Sequence, residues 1–296
     1  MGLGPPILAL YTQLKRLGVF DNVSAVMELG AQNVWCPRPH IVYELFTAFG
    51  KAAPDAAMVQ RFADWKGSAR ELHAALGLSY ACIDLDPSFN SLPLDMNFDE
   101  TPPEHVGRYD LVTNHGTSEH IMNQYNVFKM MHDLTRPGGY MLHAVPFTVH
   151  LEHGFFNYQP NFFQALARYN GYKTVGLWVG PDWQLASLVP WEPSLLDYLV
   201  LNAKTTHLLV AMLQRVHETP FCVPFQSVYE GMIPDEAAAR YSVIVDGEMR
   251  DGRVVKAALA ASGQIPARGK SIDQMGGYEL LAELAKRVRK RLPIKA

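Results

Sequence analysis

The apolar positions of this chain fall into two kinds of run that alternate along it. Short, continuous apolar runs ended by polar turns predict buried strands at 23–29, 78–84, 110–113, 140–145, 173–179 and 207–216. Apolar residues at helical spacing predict helices at 7–17, 38–49, 68–76 and 160–169. Strands that alternate with helices form a largely parallel sheet with helices on its faces. The chain is therefore expected to have an α/β fold.

The segment 109–147 carries the densest set of reactive side chains. A buried strand is followed by a polar turn with Asn114, His115, Glu119 and His120, then by a helix, a Pro-Gly-Gly break and a second buried strand. Strand, helix and strand in this order make a right-handed crossover, and ligands bind at the carboxyl ends of such strands. The reactive residues fall at those ends, which indicates an enzyme.

Composition limits the class of protein and of partner. The 296 residues are 48% hydrophobic, with a formal net charge of −3. This favours a globular protein and gives no general attraction to nucleic acid. The three cysteines are widely spaced, without a CxxC pair, which predicts free thiols in a reducing compartment. No basic, apolar leader and no apolar segment of about 18 residues is seen, so the cytoplasm is expected and a membrane is not.

Several motifs in order resemble those of the class I S-adenosylmethionine (SAM)-dependent methyltransferases, and most closely the ubiquinone-pathway O-methyltransferases. The resemblance covers roughly residues 24–216 and rests on Glu28-Leu29-Gly30, Ile83-Asp84, Asp110-Leu111-Val112, Glu119-His120-Ile121, Leu134 and Pro137-Gly138-Gly139. It implies a Rossmann-like, seven-stranded, mostly parallel sheet with helices on both faces. Its last strand would be antiparallel and lie between its neighbours.

Three regions are expected along the chain. Residues 1–22 would form a helical cap and residues 23–225 the methyltransferase domain, with an insertion near 181–205 that contains a helix at 194–201. Residues 226–296 would form a C-terminal extension that ends in an amphipathic helix at 278–292, docked on its own domain or on a second copy in a homodimer. Its narrow apolar face and the negative net charge disfavour membrane-surface contact.

The resemblance also implies a cofactor site for SAM. Glu28 and Gly30 would form the turn that approaches the cofactor, because Gly30 has no Cβ in the way. Asp84 would accept hydrogen bonds from the ribose hydroxyls, with Asp86 as an alternative. Asp95 and Met96 would hold the adenine.

The turn departs from the family pattern. Gly30-Ala31-Gln32-Asn33-Val34 stands where the family has Gly-x-Gly-x-Gly. Gln32 or Asn33 is expected to bind the amino-acid end of the cofactor, and Asn114 and His115 to line its methionine part or the acceptor. Without the further glycines, the turn has no tight cradle for the pyrophosphate of a dinucleotide.

Histidine is the expected general base, because an oxygen or nitrogen acceptor has a proton to lose near neutral pH. His120, His150 and His153 are the candidates, since they follow strands whose ends form the site. Gly116 stands where some members of the family have the first glutamate of a metal site, so no metal is expected, although His115 or Glu152 could restore a third ligand. The aromatic segment 147–158 would form a wall or lid over the acceptor.

The function that these features favour is methyl transfer from SAM to a small-molecule or glycan acceptor, at oxygen. Two other functions stay open. One is a SAM-binding scaffold protein without catalysis, and the other is a nucleotide-cofactor oxidoreductase. Nucleic-acid methylation is disfavoured, because no Asn/Asp-Pro-Pro-aromatic run follows the fourth strand.

Overall fold

The computed structural model describes residues 2–181, 187–196, 199, 205–226 and 231–261. The helices in these ranges are α1 (Pro5–Arg16), α2 (Pro39–Ala48), α3 (Ala56–Ala63), α4 (Ala69–Ala75), α5 (Gln124–Leu134), α6 (Pro160–Asn170), α7 (Asp235–Ala238) and α8 (Arg253–Ala261). The strands are β1 (Ala25–Leu29), β2 (Asn33–Val34), β3 (Gly67–Ser68), β4 (Ser79–Ile83), β5 (Tyr109–His115), β6 (Thr135–Thr148), β7 (Lys173–Pro181), β8 (Val189–Pro190), β9 (His207–Gln214), β10 (Ser242–Val245) and β11 (Glu248–Asp251).

Seven strands form the central sheet, in the order β4-β1-β5-β6-β9-β7-β8. Strands β4, β1, β5 and β6 pair in parallel, and β9 is antiparallel to both β6 and β7. Strand β7 therefore runs in the same direction as the parallel group. The expected α/β fold, with a mostly parallel sheet and an antiparallel last strand between its neighbours, is confirmed.

Alternating side chains of the sheet face two separate cores. Val26 and Leu111 belong to the core under α1, α2, α3 and α4, whereas Met27 and Val112 belong to the core under α5 and α6. Helices thus cover both faces, as expected for a parallel sheet whose strands are buried on both sides.

The register of the strand pairs places the ends of β1, β4 and β5 side by side at one edge of the sheet. Leu29 of β1 lies opposite Ile83 of β4 and Asn114 of β5. The residues that follow these three positions therefore meet at one edge of the sheet, which is where the expected site residues lie.

Three local features of the structure add to what the sequence pattern predicts. Residues 92–96 form no strand, and only Leu92 makes a parallel bridge to Ile83. Glu119 and His120 lie in a short 3₁₀ helix, Ser118–His120, and the α-helix begins only at Gln124. The C-terminal extension begins with ordered structure, since β11 is joined to β10 by Asp246 and Gly247, both at positive φ. An Asp-Gly pair between short strands is a hairpin signal.

Two predicted helices fall largely or wholly outside the described residues. These are the helix in the insertion, at 194–201, and the C-terminal helix at 278–292. Among the helices that are described, none is long and apolar enough to cross a membrane.

Candidate functional site

The turn after β1 is built around close contact between Gly30 and Thr117. Gly30 has a φ of +71°, and a Cβ added there would lie 2.3 Å from Thr117 Oγ1. Thr117 Oγ1 donates to the carbonyl of Leu29 at 2.6 Å and accepts from Gln32 Nε2 at 3.2 Å. The single glycine thus lets the turn after β1 pack against the turn after β5.

Two buried groups in this turn carry unusual charge or hydrogen-bonding properties. Glu28 is fully buried, accepts hydrogen bonds from Gln32 N at 3.2 Å and from the Tyr80 hydroxyl, and burial raises its pKa to about 8. The Gln32 side-chain oxygen is buried and has no hydrogen-bond partner in the described part of the chain. A buried acceptor without a donor is costly unless a ligand or water supplies one.

Asp84 lies where a ribose-binding carboxylate is expected, just after β4. Its Oδ2 accepts from Ala31 N at 2.9 Å and its Oδ1 from Asp86 N at 2.9 Å. Each carboxylate oxygen can accept more than one hydrogen bond, so both oxygens keep capacity for a hydroxyl. Asp86 instead caps its own turn by accepting from Ser88 N at 2.9 Å.

Asp95 and Met96 form the next turn along this edge. Asp95 Oδ1 accepts from Asn97 N at 2.9 Å, and the side chain of Met96 is 5% exposed and packs in the core under α5. Asn97 ties this turn to the site, because its Oδ1 accepts from Met122 N at 3.0 Å.

Asn114 shapes the turn that follows β5. Its Oδ1 accepts from Ser118 N at 3.0 Å, and its Nδ2 donates to Ser118 Oγ at 2.8 Å. The fully buried carboxamide therefore fixes the 3₁₀ helix that carries Glu119.

His115 is a strand residue whose side chain faces the side of the sheet opposite to Asn114, so its predicted place in the polar turn is wrong. Strand β5 extends to His115, and consecutive strand residues face opposite sides. The imidazole is fully buried with Nε2 3.4 Å from the Tyr11 hydroxyl of α1, and burial lowers its pKa to about 3.

Glu119, His120 and His153 form a compact cluster, named here the Glu-His cluster. The Glu119 carboxylate has no solvent exposure and no hydrogen-bond partner in the described chain. Its Oε1 lies 3.6 Å from His153 Nε2 and 3.9 Å from His120 Nε2. Burial raises the pKa of Glu119 to about 7 and lowers that of His120.

The segment 150–158 folds onto this cluster. The backbone N–H groups of Phe155 and Phe156 donate to the Glu119 carbonyl at 2.8 and 3.3 Å. A Cβ at Gly154 would lie 2.9 Å from the same carbonyl oxygen, so only glycine allows this approach. The third candidate base, His150, is buried with Nε2 3.1 Å from the His207 carbonyl, which anchors the segment to β9.

The Glu-His cluster could serve as a base or hold a metal ion. Its three potential ligand atoms lie within 4.8 Å of one another. Two imidazoles and a carboxylate are a ligand set used by zinc and other transition metals. They are also the set in which a carboxylate orients a basic imidazole.

Gln124 and Tyr158, which were not predicted as site residues, connect this site to the start of α5 and to the segment before α6. Gln124 Nε2 donates to the carbonyls of Ser118 and Ile121, and its Oε1 accepts from the Tyr158 hydroxyl at 2.6 Å. Glu119 belongs to the motif Glu119-His120-Ile121, but it was likewise not predicted to bind the cofactor or to act as the base. The position of Gln124 at the start of a predicted helix was the only signal for it.

The residues at this edge fit a nucleoside cofactor with an amino-acid tail. Asp84 has acceptor capacity for a diol, and the orphaned Gln32 oxygen calls for a donor such as an ammonium group. The single-glycine turn offers no row of free N–H groups for a pyrophosphate, since Ala31 N and Gln32 N are already bonded to Asp84 and Glu28.

Comparison with known proteins identifies distant structural similarities only. No family model matches the chain, and no curated protein matches it. It is similar to the 1,6-didemethyltoxoflavin-N1-methyltransferase of Burkholderia thailandensis, with S-adenosylhomocysteine bound, at 13% identity and a TM-score of 0.40 over 70% of this chain and 77% of the other. It is also similar to an O-methyltransferase of a Brevibacillus brevis multienzyme, with the same ligand bound, at 11% identity and a TM-score of 0.39 over 70% and 71%.

A third similar structure is a SAM-dependent methyltransferase from Archaeoglobus fulgidus, at 10% identity and a TM-score of 0.37, covering 69% of this chain and 92% of the other. These values describe distant similarity, and the strand order itself is the evidence for the fold of this chain. The three structures named are all described as methyltransferases, two of them with bound S-adenosylhomocysteine.

Proposed function

We propose that this protein is a SAM-dependent methyltransferase that acts on an oxygen of a small-molecule or glycan acceptor. The observation that carries the proposal is the Glu-His cluster, a buried carboxylate between two imidazoles, at the same edge of the sheet as Asp84 and the Gly30 turn. A nucleoside-binding edge beside a basic cluster suits the transfer of a cofactor group to an acceptor that must lose a proton.

The cofactor would be held by the ends of β1, β4 and β5. Asp84 would accept from its ribose hydroxyls and the Gln32 oxygen from its ammonium group. Asp95 would lie near the adenine amine, and Asn114 would hold the turn that borders the methionine part. When bound, SAM would supply an electrophilic methyl group on its sulfonium, so that the bond from the acceptor oxygen to the methyl carbon could form as the sulfur–methyl bond breaks and S-adenosylhomocysteine leaves.

The chain's own contribution to the reaction is orientation and proton removal. His153 or His120 would accept the proton of the acceptor hydroxyl at Nδ1, while Nε2, the nitrogen that faces Glu119, would carry the N–H. Glu119 would orient the imidazole and stabilise its positive charge, and the segment 150–158 would exclude water. Orientation and general base catalysis can together supply much of the rate acceleration.

Calorimetric titration with S-adenosylhomocysteine tests the cofactor, with NADH as the control. Micromolar binding of the first ligand alone is expected. Binding of NADH alone would favour the oxidoreductase, and binding of neither would contradict the proposed cofactor site.

Single variants then test the base. His153→Gln and His120→Gln are compared with His40→Gln, an exposed histidine at the start of α2. The variant that removes the base should lose about 10²–10⁴-fold in turnover, with S-adenosylhomocysteine affinity retained. If both variants keep full turnover, the base is another group. Cofactor binding without turnover on any acceptor would favour the scaffold protein.

A further inference from the structure

A cavity of about 430 Å³ is bordered by residues 156–159 of the segment 150–158, and none of its lining residues is proposed to hold the cofactor. It lies between residues 156–159, the first turns of α6 and residues 224–226, and Gln124 also lines it. A volume of this size is in the range of pockets for small organic ligands, about 300–1,000 Å³. The cavity is therefore large enough for one ring-shaped group.

The lining of the cavity is mostly apolar, and its polar side chains are uncharged. Five of its eleven lining side chains are carboxamides, and none is charged. The carboxamides of Asn157, Gln159, Asn161 and Gln226 make no hydrogen bond to another side chain or backbone group in the described ranges. Gln124 alone is engaged, because its carboxamide holds the Ser118 and Ile121 carbonyls and the Tyr158 hydroxyl.

Aromatic rings, together with Ala165 and Pro224, provide the remaining surface. Phe156, Phe162 and Phe225 are half-buried, so each presents part of its ring to the cavity. A carboxamide both donates and accepts hydrogen bonds, as does a sugar hydroxyl. The apolar C–H face of a pyranose ring gains free energy by leaving water against an aromatic ring. A phosphate or carboxylate ligand, by contrast, would call for Arg or Lys, and the lining has neither.

The cavity is joined to the proposed reaction site through shared residues. Phe156, one of its aromatic walls, donates its N–H to the Glu119 carbonyl at 3.3 Å. Gln124 bonds both to Ser118, beside Glu119, and to Tyr158, in the cavity wall. A ring in the cavity would therefore lie next to the segment that packs on the Glu-His cluster.

We propose that this cavity binds a neutral pyranose ring of the acceptor, so that the methyl acceptor is a glycoside or oligosaccharide. This rests on the proposed function for the role of the ring as acceptor. The binding itself is independent of the cofactor and can be measured without it.

The test is saturation-transfer difference NMR and titration of the full chain with methyl glucoside, methyl galactoside, methyl mannoside, maltose and lactose, with and without S-adenosylhomocysteine. At least one of these should bind, and the Asn161→Ala variant should weaken it about fivefold, as expected for one neutral hydrogen bond. The double variant Gln159→Ala, Asn161→Ala should weaken it further. Gln164→Ala, an exposed carboxamide of the same helix outside this cavity, is the matched control.

The two proposals can fail separately. Binding of S-adenosylhomocysteine without binding of any of the five saccharides overturns the sugar cavity alone, as does saccharide binding that Asn161→Ala and Gln164→Ala affect equally. Saccharide binding sensitive to Asn161 but without cofactor binding keeps the cavity and overturns the methyltransferase.

Discussion

Replacement of Glu119 by glutamine should stabilise the folded protein at alkaline pH. The Glu119 carboxylate is fully buried without a hydrogen-bond partner in the described chain, and burial raises its pKa from 4.5 to about 7. A group whose folded pKa is raised contributes stability that is fully present below its unfolded pKa and lost as the pH rises through the folded pKa. Above pH 7 the folded state therefore carries the whole free-energy cost of the buried charge.

The magnitude follows from the pKa of Glu119 in the two states. The values of about 7 and 4.5 differ by about 2.5, and each pKa unit corresponds to about 1.36 kcal/mol. The glutamine side chain has nearly the same shape and cannot ionise. At pH 8, Glu119→Gln should therefore raise the free energy of unfolding by about 3 kcal/mol, whereas at pH 4.5 the two proteins should differ little.

Urea denaturation at pH 8 and at pH 4.5 measures this difference. Glu104→Gln, at an exposed position, is the control for the loss of a negative charge. Destabilisation by Glu119→Gln to the same extent at both pH values would refute the reasoning, because it would mean that the carboxylate is held by favourable contacts. The same variant should lose turnover, so stability would rise as activity falls.

Three further outcomes are expected. Asp84→Ala should weaken S-adenosylhomocysteine binding about tenfold or more in calorimetry, since a hydrogen bond to a charged group contributes roughly 1.5–3 kcal/mol; unchanged affinity would move the ribose contact to Asp86. The pKa of buried His143, like that of His115, is lowered to about 3 by burial, so each should reduce the free energy of unfolding by about 2 kcal/mol between pH 7 and pH 5. Their glutamine variants should show a smaller fall over this range, and an equal fall would contradict the buried neutral imidazoles. Because no metal is expected, turnover should be unchanged after treatment with EDTA, and a loss restored by zinc or manganese would identify the Glu-His cluster as a metal site.

The order of the elements could be predicted because buried parallel strands leave a simple pattern. A strand covered on both faces is a continuous apolar run, and the helices between such runs show the other period. This is why β1, β4 and β7 and helices α1, α2 and α6 lie where the pattern placed them. The same logic located Asp84 and Gly30, since both immediately follow a strand.

The ends of elements were harder to predict because polar residues can continue a strand. Asn114 and His115 were expected together in a turn, but β5 includes both of them. As consecutive strand residues, they place their side chains on opposite faces: Asn114 bonds to Ser118, and His115 lies beside Tyr11 of α1. Whether positions 114 and 115 belong to the turn or to the strand therefore decides whether His115 faces the site.

The sequence by itself determined the order of the strands and helices and the edge of the sheet at which most residues of the proposed site lie. Only the tertiary structure decided which of these residues meet. Glu119 and His153 are separated by a helix and a strand, and they come together because the segment after β6 folds back over Gly154 onto the Glu119 carbonyl. Such a contact depends on the path of a loop in three dimensions, and hydrophobic periodicity carries no information about that path.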